Sequence, residues 1–265
     1  MGGHSVVELV NKPLVEAILE LRWALPVEHA PGVRSDPNYS VLPGLYWNAV
    51  RNSYPFREEL PTASVPAEMI PHQPQHRFRT EDSGWPLVQI GPGILTVNDT
   101  QGYTWKDYRQ RSLEAVKALG AVYPDVNAFQ VMQLALTYQD AHRFDYRTGS
   151  VLDYMKEYLH AGLGLPKSLF SRTPVNDKPL TSDWSISFAT SKPSGTVSLR
   201  FVTVYLNQTE PVVITEAKVL SDATQVPEVP AGFEAWLKDA HDLAHDWFFK
   251  LIRGKLLQAY EGKEE

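Results

Sequence analysis

The sequence predicts an α+β protein in which one curved antiparallel sheet carries its helices on a single face. Three observations predict it. Short segments with the period of two that marks a half-buried strand recur along the chain. The order strand, helix, three strands, helix runs through it twice, and the second run closes on a long amphipathic helix. The runs define tandem β-α-β-β-β-α halves, residues 1–125 and 126–265, pairing into one pseudo-symmetric unit.

The first half opens on Val15 to Trp23. Val15, Ala17, Leu19, Leu21 and Trp23 alternate with Glu16, Glu20 and Arg22, which gives a strand one apolar and one charged face. A loop leads to a short helix over Leu45 to Asn52. Pro55, Pro61, Pro66, Pro71 and Pro74 then forbid a long helix or a central strand, because each removes a backbone donor and fixes φ. Residues 55–75 are therefore expected to run as an extended surface connection. His76 to Glu81 and Trp85 to Ile90 read as strands around the turn Asp82-Ser83-Gly84. Gly91-Pro92-Gly93 turns the chain into a third strand, Ile94 to Asn98. Thr104 to Val122 is a helix, with Tyr108, Leu113, Val116 and Leu119 at helical spacing.

The second half repeats the order. Phe129 to Tyr138 is a strand with Met132, Leu134, Leu136 and Tyr138 on one face. Ser150 caps a helix over Val151 to His160, which stops at Gly162-Leu163-Gly164. Trp184 to Ala189, Thr196 to Leu206 and Val212 to Leu220 are strands, the first two joined by Pro193-Ser194-Gly195. A single helix is expected from Phe233 to Tyr260.

Local echoes link the halves: Glu16-Ala17-Ile18-Leu19-Glu20-Leu21 parallels Val131-Met132-Gln133-Leu134-Ala135-Leu136. Eight or so strands in this order are similar to TATA-binding-protein-like and helix-grip folds, an analogy of fold that carries no function. Asn11-Lys12-Pro13-Leu14-Val15-Glu16-Ala17, the run from Val88 to Asn98, Trp105 and the helical stretch from Ala240-His241 to Phe248 resemble a sporadically distributed family of uncharacterised bacterial proteins. That resemblance implies a bacterial source and no established activity, so it transfers no catalytic residues.

Composition removes several function classes. The chain has no cysteine, which excludes disulfides, thiolate metal sites and cysteine nucleophiles. The N-terminus lacks the basic and apolar regions of a signal peptide, and no apolar run approaches the ~20 residues of a membrane span. The chain reads as cytoplasmic, with no membrane partner. Its net charge is -6, and its densest basic cluster, Lys106, Arg109 and Arg111, spreads around a helix. That pattern argues against nucleic acid, whose binding depends on clustered cations displacing counterions.

No catalytic motif assembles. Gly91-Pro92-Gly93 lacks both phosphate-loop patterns, and no serine lies in G-x-S-x-G. Glu216-Ala217-Lys218 and Glu20-Leu21-Arg22 supply too few charges for a triphosphate tunnel. The sharpest chemical feature is His241-Asp242-Leu243-Ala244-His245, two histidines at i and i+4 on one helix face. That spacing suits a shared metal and equals H-E-x-x-H, although Asp242 is too short to replace the general-base glutamate. His72, His76, His142, His160, Asp239 and Asp246 are unplaced candidates for a third ligand.

A helical projection offers another account. Phe233, Leu237, Ala240, Ala244, Trp247 and Leu251 form the main apolar stripe; His241, His245, Phe248 and Ile252 form a second; and Phe249 lies further round. Apolar groups on two faces imply a helix covered on two sides, within the chain or by a second copy. Tyr103 and Trp105 are expected at the rim of a ligand cavity. The expected function is non-enzymatic: binding a protein partner or small ligand through Tyr103, Trp105, Phe248, Phe249 and Ile252, without a cofactor and with a possible homodimer. The alternative is a metal-dependent hydrolase using His241 and His245.

Overall fold

The alternating segments pair into one nine-stranded antiparallel sheet in a computed structural model that describes residues 9–100 and 102–263. The first central strand is β1 (Leu14–Trp23), followed by a small hairpin of β2 (Val27–Ala30) and β3 (Val33–Ser35) and by helix α1 (Leu42–Val50). Then come β4 (Phe56–Glu59), β5 (His76–Arg79), β6 (Leu87–Gly91), β7 (Ile94–Asp99) and helix α2 (Trp105–Val122). The rest of the chain supplies β8 (Val131–Arg143), α3 (Val151–Tyr158), β9 (Asp183–Ser191), β10 (Ser194–Leu206), β11 (Glu210–Asp222), α4 (Phe233–Ile252) and α5 (Lys255–Tyr260).

The strand order is β4-β5-β6-β7-β1-β8-β11-β10-β9. β1 and β8 lie antiparallel at the centre, Leu19 opposite Leu136 and Leu21 opposite Leu134. Each is flanked by the strands that follow it in the chain, in reverse order outward. The α+β class and the antiparallel sheet thus agree with the sequence pattern.

Period-two alternation decides which face is covered. Ala17, Leu19, Leu21 and Trp23 of β1 are fully buried, as are Val97 of β7 and Leu134 and Leu136 of β8. They pack with Tyr46 of α1, Tyr108, Val116 and Leu119 of α2, and Phe233, Leu237 and Ala240 of α4 in one core. A second core holds Val151 and Met155 of α3 with Phe201, Val213 and Ile252. The intervening positions form a polar ladder on the opposite face. There Arg77 donates to Gln89 at 3.1 Å, Gln89 to Thr96 at 3.2 Å, Thr96 to Asn98 at 2.6 Å, and Asn98 to Glu16 at 2.7 Å. No helix among the described residues is long and apolar enough to cross a membrane.

Three expectations are corrected. The proline-rich connection contains β4: Pro55 and Pro61 leave an interval long enough for an edge strand, where an unpaired donor row is tolerated. β8 runs past Tyr138 to Arg143, since its alternation continues through Asp140 and His142 with polar side chains. The final helix is broken at Gly254, whose φ of +90° suits glycine alone, and α5 packs against the second core through Leu256, Leu257 and Tyr260. Asn11 N then donates to Tyr260 O at 2.9 Å.

The Gly91 end of β6 shows how closely the proline-rich segment is held. A Cβ there would lie 1.9 Å from the Gln73 carbonyl oxygen, and Gln75 N donates to Ile90 O at 2.9 Å beside it. Gly91→Ala is expected to destabilise the fold by at least ~2 kcal/mol, because both contacting groups are backbone. Chemical denaturation checks this; an unchanged midpoint would show that the two segments part easily.

Candidate functional site

Helix α4 crosses the sheet with small residues, Ala240 and Ala244, toward the strands, and β11 presents Ala217 near the same place. Because little side chain fills the gap, a cavity of about 730 Å³ remains between α4, the start of α2 and the β1–β8–β11 surface. This lies within the range of small-molecule sites, roughly 300–1,000 Å³. Leu9 of the second core and Ala217 and Ala244 of the first both line it, so it sits where the two cores meet.

Each aromatic in the wall has a local reason to be there. Thr104 caps α2, accepting a hydrogen bond from Asp107 N at 3.2 Å, and the cap sets Tyr103 and Trp105 on either side of the helix start. The Trp105 ring lies flat on the His241 imidazole, centroids 3.7 Å apart and planes 8° from parallel. Phe248 and Phe249 meet edge to face at 5.2 Å, and Phe249 packs on His245 at 4.7 Å. Tyr103, Trp105, His241, His245, Phe248 and Phe249, singled out from sequence on separate grounds, all line this cavity.

Ile252 does not. It is fully buried in the second core and takes no part in the wall. It lies one turn past Phe248 and packs in the cluster that holds Val151 and Met155 of α3, so membership of the helical stripe did not translate into membership of the site.

The polar groups form two sets. The first is a relay: Lys12 Nζ donates to the Tyr103 carbonyl at 3.0 Å, the Tyr103 hydroxyl lies 3.0 Å from that of Tyr138, and the latter lies 2.9 Å from His241 Nδ1. Burial, with help from the neighbouring His245, lowers the His241 pKa to about 3, so the imidazole is neutral. The second set is Asp140 alone. It is 7 % exposed, lines the cavity, and has no hydrogen-bond or ion-pair partner among the described residues. Burial pushes its pKa up to about 7. Two positions further along the same strand face, His142 is held by Thr215 Oγ1 at 3.0 Å and Tyr260 OH at 2.7 Å, and burial lowers its pKa to about 4.

The histidine pair has ring centroids 5.4 Å apart, and His241 Nδ1 faces the Tyr138 hydroxyl. No group of three or more His, Asp or Glu side chains converges as metal ligands among the described residues. Of the other candidates, His72 is held by Gly93 O, His160 by Arg253 O, and Asp239 and Asp246 by Lys192 and Lys250, while His76 lies on β5 outside the cavity wall. Sequence reasoning missed Asp140 and Lys12. Asp140 was legible as the next step of the Leu134, Leu136, Tyr138 alternation; Lys12 left no signal beyond its place just before β1.

Asp140 makes stability depend on pH in a definite direction. Between its ordinary pKa near 3.8 and about 7 the folded state holds the proton more tightly than the unfolded state, so its contribution falls as pH rises. Tyr103, Tyr138 and Tyr260, which face it, stay uncharged in that interval, since their pKa values are raised. His142 and His241 act oppositely, adding stability as pH rises from about 3–4 to 6.5. Asp140→Asn is therefore expected to stabilise the protein by a few kcal/mol at about pH 8, a gain that vanishes near pH 4. Thermal melts across that range check it; a difference independent of pH would show that the carboxylate is already compensated.

Comparison with protein-family models and with curated proteins found no match for this chain.

Proposed function

We propose that the chain is a non-enzymatic binding protein that holds a small, largely apolar ligand in the cavity between α2, α4 and the sheet. The observation that carries this reading is the cavity itself, with aromatic walls contributed by two helices and a strand and few polar groups at fixed positions. The two-sided character of α4 supports it: the second stripe, read from sequence as a face covered either within the chain or by a second copy, borders this hollow through His241, His245 and Phe248. A pair of tandem halves, proposed as a duplication, gives the site a simple origin at the junction between them.

Metal-dependent hydrolysis by His241 and His245 draws no support from the geometry, since the pair has no third ligand among the described residues. Self-association is better supported at another place. β9 is an edge strand, nine residues long, with Ile186 44 % and Phe188 46 % exposed. Such an edge pairs readily with a second copy.

Two measurements test these readings. N-phenyl-1-naphthylamine, an uncharged hydrophobic fluorophore, is expected to bind saturably, and Ala244→Trp, which fills the cavity, to abolish binding while leaving circular dichroism unchanged. Saturable binding undiminished in that variant would place the apolar site elsewhere. Light scattering is expected to find a dimer that Phe188→Glu converts to monomer; a monomeric wild-type chain removes the edge-pairing reading.

A further inference from the structure

Asp140 is the cavity group whose chemistry is incomplete. A carboxylate withdrawn from water is ordinarily paired or hydrogen-bonded, because its charge is otherwise poorly solvated. Nearby donors exist, yet the fold engages each with another acceptor. Lys12 Nζ, the ammonium lining the cavity among the described residues, donates to the Tyr103 carbonyl at 3.0 Å. The Tyr103 and Tyr138 hydroxyls lie 3.0 Å apart, the second 2.9 Å from His241 Nδ1. Thr215, opposite Asp140 in the β8–β11 register, has its hydroxyl 3.0 Å from His142 Nε2. These contacts hold the donors in place and leave the carboxylate facing the hollow, 7 % exposed and unpartnered.

The walls around it are aromatic: Tyr103, Trp105, Tyr138, Phe248 and Phe249. Aromatic rings carry partial negative charge on their faces and attract cations. An anion would meet Asp140 with like charge, and a hydrocarbon would leave the carboxylate unpaired while displacing water from it. An ammonium group on an apolar body supplies both the missing charge and the missing donors.

We propose that the cavity binds a small amphiphilic amine, its ammonium hydrogen-bonded to Asp140 and its apolar body against Trp105, Phe248 and Phe249. The assignment rests on the reading of the cavity as a ligand site and adds the charge of the ligand. It makes Asp140 the residue that selects an amine over its uncharged counterpart.

The test is a titration of the full chain with 4-phenylbutylamine and with 4-phenylbutan-1-ol, an uncharged molecule of nearly the same size and shape. At about pH 8 the amine is cationic and Asp140 ionised. The amine is expected to bind at least about tenfold more tightly than the alcohol. Asp140→Asn is expected to remove that preference while changing alcohol affinity less than about twofold. The wild-type comparison needs no variant, so it holds even if the substitution disturbs folding. Equal affinities for amine and alcohol, or a preference that survives in Asp140→Asn, overturn the assignment. If N-phenyl-1-naphthylamine binds in the cavity and neither phenylbutyl compound displaces it, the amine assignment falls and the binding reading stands. If none of the three binds, both fall.

Discussion

Between β1 and β8 runs a ladder of antiparallel hydrogen bonds that is the sole strand-to-strand join between the two halves of the chain among the described residues. Each other strand of the large sheet pairs only within its own half. The ladder places Leu19 and Leu21 against Leu136 and Leu134 on the covered face, and a slip of one residue would turn all of them toward the polar ladder on the other side. Register at this pair therefore fixes the relation of α2 to α4, which pack on the two halves and are linked by Arg109 and Glu234. The cavity is bordered by both helices, Trp105 of α2 lying on His241 of α4 at its wall.

Much of the fold was legible because its signals are local. β1, β7, α2, α3 and the strands of the second half follow from alternation, helical spacing and the caps Thr104 and Ser150, which accept from Asp107 N and Asp153 N as such residues do. What was not legible depended on distant partners. β4 is too short to signal itself and exists only because β5 offers an edge. The break at Gly254 is invisible within a continuous helical pattern, since glycine inside a helix is a weak stop. At the site, helical projection identified His241, His245, Phe248 and Phe249 but could not say that Ile252, on the same stripe, is buried in the second core without reaching the cavity. Asp140 was lost for a related reason: a polar residue after an apolar strand reads as its end, although here the strand continues into a buried interior.

The chemistry of the site reflects a division of labour between elements. The helices contribute rings, whose positions depend on a capped N-terminus and on i, i+4 spacing. The sheet contributes the carboxylate, held by a backbone bonded on both sides and thus less free to move than a loop would be. Lys12 is held by the Tyr103 carbonyl, the Tyr103 and Tyr138 hydroxyls by each other and by His241, and His142 by Thr215 and Tyr260, while Asp140 has no such partner among the described residues. The same arrangement accounts for the opposing pH responses of Asp140 and the two buried histidines, for which desolvation is the leading cause in every case.

The central ladder also sets an order of events in synthesis. β1 emerges early and can pair with β7 as soon as the first half is complete, but its other edge has no partner until β8 follows. During that interval the nascent chain carries an open strand edge beside the apolar face of Leu19 and Leu21, the kind of surface that invites pairing with a neighbouring chain. β8 is thus the segment that ends a vulnerable stage of translation, and its first residues, Val131 to Leu136, are those whose arrival closes the exposed edge.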